Sequence, residues 1–437
     1  MKTIRANNWL LSIVILLLSI GYLLRVPIVP FHPDEQTQLF MSGDLEQFFR
    51  NPRELFWDPE REQDIRQQYR ELDAPITRLL LGLGRQLTGL SAPTVDWDWT
   101  KDWNYNERAG AVPSQTLLVT GRLSVALLFP ISLLLIFRIG HAIGGKTIAW
   151  LTMLSLASNA LVLLHTRRAM AESALLFTSI LTLWTLKQLK QNAYLLAIPA
   201  ALAFNAKQSN APLALICLIA ILFPLFEKTP SLKKRLLWVA LFVFLFVAIT
   251  LVLNPFLWSD PLNATLAAWL ARKDLIQRQA TVLALGNPHL VWETIPERIL
   301  GLFIHLFLSP PAIGDVANYL EQTRSSETIY FSNPMTWISR GFIAGTFVAI
   351  LTFYGFIIAP LQARHADRSS RRYILLLWAG TLIQIAVQVY LIPLPFQRYV
   401  MPLVPFACVW LALGFYNLGR LLSGILHHSK SNPIFEK

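Results

Sequence analysis

The stretch "FHPDEQ" puts Asp34 and Glu35 side by side just after the first long apolar run. A hydroxyl is a poor nucleophile until a base within hydrogen-bond reach takes its proton, and a carboxylate so placed contributes roughly 10²–10⁴ in rate. Five cations fall at the ends of apolar runs: Arg122, Arg167, Arg168, Lys207 and Arg398. An Arg inside a membrane helix costs roughly 2.5–3.5 kcal/mol on insertion scales, so it is usually partnered, or else it snorkels into the headgroup layer. A fixed cation about 4 Å from a developing phosphate charge is worth roughly 4 kcal/mol at the effective dielectric of a partly buried site. Arg suits bidentate phosphate contact and Lys acts as a point charge. The acids have a plainer reading too, because Pro at a first helical position with Asp and Glu in the first turn is an ordinary helix start.

The elements that position these residues are membrane spans. The 437-residue chain is 54% hydrophobic with a mean hydropathy of +0.46, too apolar for an ordinary soluble protein. Apolar runs recur at 9–29, 115–137, 147–165, 173–189, 193–206, 210–226, 236–257, 338–360, 373–393 and 399–418, each compared with the roughly 20 residues that cross a bilayer. The first follows the basic "MKTIRANN" without a small-residue cleavage pattern and reads as a retained anchor.

If the spans alternate, one side receives Lys2, Arg5, Arg138 to Lys146, Lys187, Lys190, "EKTPSLKKR", "ARHADRSSRR" and the tail from Arg420. The positive-inside bias makes that side cytoplasmic. The outer side then carries 31–112, the turns at 165–172 and 205–210, the stretch 258–337 and the turn at 394–399. All five exceptional cations belong to that outer face. Residues 31–112 hold 15 acidic and 9 basic side chains, although the whole chain is +12. A basic excess confined to short loops does not mark a nucleic-acid binder.

Within the outer loop, Ile76, Leu79, Leu80, Leu83 and Leu87 form one stripe, predicting an amphipathic juxtamembrane helix over 73–89. "DWDWTKDWNYNE" brings Trp97 and Trp99 into a run of acids. Trp rings stack on sugar faces and also anchor at membrane interfaces, and both readings stand. "RILGLFIHLFLSP", 298–310, is too short to cross and reads as re-entrant or interfacial. Glu172, four residues after Arg168, fits an i,i+4 pair, and His32 and His165 read as structural. Cys217 and Cys408 lie in apolar runs as packing residues, with no metal or disulfide framework. "NAT" at 263–265 is a glycosylation acceptor only in a eukaryotic secretory pathway.

Six motifs in fixed order give the chain a resemblance. "HPDE" follows the first span, "DAPITRLLLGLG" opens the second loop helix, and "HTRRAMAES" follows the third span. "FNAKQSNAP" follows the fifth, "NPFLWSDP" ends the seventh, and "QRYVMPLVP" forms a late outer turn. Together they resemble the lipid-carrier-dependent glycosyltransferases of the GT-C superfamily, in the branch of protein O-mannosyltransferases and the lipid A aminoarabinose transferase. The resemblance covers roughly 1–260 and 370–420, and Asp73 stands where many relatives carry His.

It implies an all-α polytopic bundle of about 10–11 transmembrane helices with a large first outer loop. The expected divisions are a catalytic module at 1–257, an outer segment at 258–337, and C-terminal spans with a cytoplasmic tail at 338–437. The implied reaction moves a sugar from a polyprenyl phosphate to a protein, lipid or glycan, by one inverting displacement at the outer face of a plasma membrane. Asp34 would be the base, with Glu35 positioning it or holding a sugar hydroxyl. Arg167, Arg168, Lys207 and Arg398 would take the donor phosphate. Asp73, Tyr399, Trp97 and Trp99 are candidate acceptor or sugar contacts. No cofactor is required by this chemistry, and a divalent cation is compatible with it. Competing readings are a transporter or flippase of an anionic lipid-linked substrate, a polysaccharide polymerase or ligase, and a non-catalytic scaffold. Against transport, no internal repeat is evident and the charges cluster at one surface.

Overall fold

Long apolar segments joined by short polar turns leave the backbone one way to satisfy its polar groups within lipid, the α-helix. In the computed structural model, which describes residues 2–188, 192–223, 230–287, 290–314 and 319–430, the described residues contain helices and no strand. Lys190, Lys228 and the tail beyond Lys430, expected on the cytoplasmic side, lie outside the described residues.

Helix α1 (Lys2–Leu23) is followed by the outer-loop helices α2 (Pro33–Met41), α3 (Asp44–Arg50), α4 (Ile65–Leu72), α5 (Pro75–Leu87) and α6 (Trp103–Arg108). The bundle continues with α7 (Gln115–Ala126), α8 (Leu128–Ala157), α9 (Ala160–His165), α10 (Ala171–Gln188), α11 (Ala197–Ala206), α12 (Pro212–Leu222) and α13 (Leu232–Leu253). The second outer segment forms α14 (Pro261–Gly286), α15 (Ile295–Phe303) and α16 (Leu320–Phe331), before α17 (Phe342–His365), α18 (Arg368–Leu391) and α19 (Val404–Lys430). The protein is an all-α polytopic membrane protein.

Five segments are long and apolar enough to cross a bilayer: Gln115–Ala157, Leu232–Leu253, Phe342–His365, Arg368–Leu391 and Gln397–Ser423. Trp9–Leu23, Ala193–Ala206 and Gln208–Leu222 are apolar but shorter. The first long segment contains one expected span and most of the next, because α8 continues through a break at Gly144 and Gly145, the latter at φ 83°. Only glycine adopts that conformation cheaply. The expected span at 193–206 stays short, and α11 packs among α10, α12 and α13 rather than standing alone. Helices α17 and α19 approach so closely that a Cβ on Gly355 would lie 1.9 Å from the Trp410 carbonyl oxygen. Small residues at such crossings are how membrane helices gain van der Waals contact without a hydrophobic drive.

The amphipathic helix expected at 73–89 is α5, with Pro75 at its first turn. Its protein-facing side is the opposite of the apolar stripe. Thr77, Arg78, Leu81, Gly82 and Arg85 are buried, while Leu83 and Leu87 are exposed. Arg78 pairs with Asp44 and Arg85 with Glu46, so this side docks onto α3 through ion pairs. The stripe instead lines an apolar groove of about 350 Å³ together with Leu45, Phe49, Leu202 and Leu253. At 295–308, α15 runs into a π-helix, Ile304–Leu308, which stops before Pro310 and Pro311 and packs against α17.

Candidate active site

The two adjacent carboxylates have opposite environments. His32 caps α2, with its Nδ1 accepting the Asp34 N–H at 3.1 Å, while the His32 N–H donates to Glu35 Oε1 at 3.1 Å. Glu35 is fully buried. Arg122 donates to both its oxygens at 2.7 Å, and the Ala169 N–H donates to Oε2 at 2.9 Å. With the cap bond this fills the acceptor positions of a carboxylate. Burial alone would raise the Glu35 carboxyl, but the Arg122 guanidinium, helped by Arg168 and the Ala169 N–H, holds it below its ordinary value. Arg122, one of the five exceptional cations, is thereby committed to joining α2, α7 and the 166–170 turn.

Asp34 points the other way. Its side chain is 28% exposed and forms an ion pair with Arg398, itself 14% exposed. Arg398 leaves the short 3₁₀ helix Gln397–Leu403, where Gln397 is tied to the 309–312 segment by its side-chain bonds to the Pro310 carbonyl and the Ala312 N–H. Lys207, at the end of α11, donates to Glu172 Oε1 at 2.6 Å and lies 5.6 Å from the Tyr399 ring centroid. Glu172 therefore pairs with Lys207, and not with Arg168 four residues earlier as its spacing suggested. The chain between α9 and α10 is a turn, so helical i,i+4 geometry does not reach across it.

The remaining cations face inward. Arg167 donates to the Tyr22 carbonyl at 3.1 Å and stacks over the Tyr22 ring at 4.5 Å. Arg168 donates to the carbonyls of Pro30 and, at 2.6 Å, Ile313. Both are at most 2% exposed.

Asp73 closes another side of the site. It is half-buried, accepts a bond from Gln38 Nε2 at 2.9 Å, and lies within electrostatic range of Asp34, Lys207 and Arg272. Burial and the neighbouring Asp34 push its carboxyl up, with Arg272 opposing. Asp96, hydrogen-bonded by the Tyr69 hydroxyl, is also pushed up, by burial first and by Asp34 last. Trp99 stands beside His32 and Trp97 beside Trp99, with Tyr319 from the 258–337 segment packed against both tryptophans. Asp96, Gln38, Arg272 and Tyr319 were not singled out from the sequence. Among the described residues, no group of three His, Cys, Asp or Glu is disposed to hold a metal.

The expected site residues thus fall into two sets. Asp34, Lys207, Arg398, Tyr399 and Asp73 form one partly exposed region, joined to the tryptophan pair through His32. Glu35, Arg167 and Arg168 lie behind it in the packed interior. The open region draws on all three expected divisions of the chain, since Tyr319 belongs to 258–337 and Arg398 to 338–437.

No protein-family model and no curated protein sequence matches the chain. Among solved structures, the Archaeoglobus fulgidus oligosaccharyltransferase in complex with zinc and sulfate matches 93% of this chain at a TM-score of 0.51 and 11% identity. The two folds are the same. The likeness is one of fold, and that fold is the all-α polytopic one expected from the sequence. Also matched are the Archaeoglobus fulgidus oligosaccharyltransferase with an inhibitory peptide and a dolichol phosphate (TM-score 0.48, 10% identity, 99% of this chain) and the Cupriavidus metallidurans aminoarabinose transferase bound to undecaprenyl phosphate (TM-score 0.36, 16% identity, 96% of this chain and 79% of that one). The chain spans about half the length of the oligosaccharyltransferases, 49% and 53%.

Proposed function

We propose that the protein is a GT-C glycosyltransferase that moves a sugar from a polyprenyl-phosphate donor to a hydroxyl acceptor at the extracytoplasmic face of a plasma membrane. The observation that carries this reading is the Asp34–Arg398 pair beside Lys207: a partly exposed base next to two partly exposed cations. Asp34 takes the acceptor's proton as the acceptor oxygen forms its bond to the anomeric carbon. The bond from that carbon to the phosphate oxygen breaks on the opposite side, and the polyprenyl phosphate leaves with the electron pair. One displacement inverts the anomeric centre.

Lys207 and Arg398 stabilise the charge that develops on the leaving phosphate. Glu172 and Asp34 pair with those cations, so an incoming phosphate competes with them and frees Asp34 to act as a base. Arg167 and Arg168, spent on carbonyls, hold the 22–31 turn and the 313 segment, and Glu35 fixes the helix that carries Asp34. Asp73 and Tyr399 border the sugar. The apolar groove is lined by α5 and α11, which reach the site at Asp73 and Lys207, so it offers a path for the carrier's hydrocarbon chain.

The test is to incubate purified protein with a panel of radiolabelled polyprenyl-phosphate sugars. One donor should be consumed by the wild type and not by Asp34→Asn, whose elution and melting should match the wild type. Wild-type turnover in Asp34→Asn would remove Asp34 as the base. Repeating the assay with a chelator measures any dependence on a divalent cation, which the proposed chemistry does not require.

A further inference from the structure

Beside the base lies an aromatic assembly that phosphate chemistry does not call for. Phe31 and His32 come from the chain entering α2, Trp97, Trp99 and Trp103 from the loop around α6, and Tyr319 from the turn before α16. Their rings meet edge-on: His32 to Trp99 at 6.3 Å, Trp97 to Trp99 at 6.4 Å, and Tyr319 to His32, Trp97 and Trp99 at 5.8, 6.3 and 6.3 Å. Trp97 and Tyr319 are buried, at 2% and 0% exposure, whereas Trp99 is 37% exposed. The buried rings therefore fix the plane of the exposed Trp99. An interfacial anchor would instead turn its rings outward to the headgroups.

We infer that Trp99, held by Trp97, His32 and Tyr319, is the stacking platform of an acceptor subsite, and that the acceptor presented to Asp34 is a sugar ring. This rests on the proposed transfer reaction and names its acceptor class. A pyranose has an apolar C–H face and a rim of hydroxyls, so a site for it pairs a fixed aromatic face with polar groups around the edge. The same loop supplies that rim. Asp98, half-buried and hydrogen-bonded to Thr100, flanks Trp99, and the half-buried Asp96 lies two positions earlier. Position selects the acceptor over the donor sugar. The platform joins Asp34 through His32, whose Nδ1 accepts the Asp34 N–H, while Lys207 meets Tyr399 on the side of the leaving phosphate.

The experiment has a binding arm and a kinetic arm on the full-length protein. In the first, saturation-transfer NMR is run with methyl glycosides and, separately, with hydroxyl-bearing peptides. At least one glycoside should receive saturation on its C–H face, and Trp99→Ala should abolish it while Trp99→Phe retains it. In the second, acceptor KM should rise about tenfold in Trp99→Ala, the size of a lost 1.4 kcal/mol contact, with donor KM held and Trp99→Phe close to wild type. Saturation of peptides but of no glycoside, or an unchanged acceptor KM in Trp99→Ala, overturns the inference. A wild-type protein that binds glycosides through Trp99 yet consumes no lipid-linked donor would overturn the transferase reading and leave the stacking surface standing.

Discussion

Asp34 and Glu35 are neighbours of nearly identical chemistry, and the molecule uses them in opposite ways. Glu35 is sealed among four hydrogen-bond donors, with Arg122 bidentate across 87 positions of sequence. Asp34 pairs with a cation that is itself partly open. The difference teaches that adjacent carboxylates can be divided between a sealed structural pair and a partly exposed one, and it is the exposed one that we propose as the base. The tight knot fixes the helix, and the helix then aims the loose one.

That contrast can be broken most forcefully at the knot. Arg122→Ala should leave Glu35 as an unpaired buried charge, at a cost of roughly 3–5 kcal/mol, seen as loss of a monodisperse folded peak in detergent or a large fall in melting temperature. A variant with wild-type melting would show that the knot does not hold α2. The open pair should respond differently: Arg398→Ala should keep its fold but weaken donor binding roughly 10- to 100-fold, the range for a lost hydrogen bond to a charged group. Unchanged donor affinity would return Arg398 to a role as partner of Asp34 alone.

The smallest effect concerns protons. Because Arg122 holds the Glu35 carboxyl below its ordinary value of 4.5 despite burial, the knot's stabilisation is complete above that pH. It is lost as pH falls through the lower folded-state value. Thermal scans from about pH 6 to about pH 3 should therefore show melting temperature falling in the acid limb. The slope of that fall should be reduced in Glu35→Gln, and equal slopes would assign the acid sensitivity to other carboxylates.

What the sequence made legible was local. The spans follow from hydropathy, and the start of α2 follows from Pro33 at its first position with acids in the first turn. Lys207 and Arg398 were marked out by their clash with the charge rule, and the fold brings them together. Partner choice was not legible, because it depends on how distant helices pack: nothing near Arg122 points to Glu35. The α5 stripe was read correctly as apolar, yet hydropathy cannot tell a face that meets lipid from one that meets protein. Here the inward face carries Arg78 and Arg85. Glu172 was matched to Arg168 because the interruption between α9 and α10 leaves no mark in a spacing count. Tyr319 was invisible for another reason: its segment carries no motif, and only the fold brings it to His32.

The link between Asp34 and Arg398 joins residues 364 positions apart. A ribosome has therefore joined all of the residues between them before the two can meet. Until the turn at 394–399 has been made, a nascent chain carries the acid without the Arg398 counter-charge.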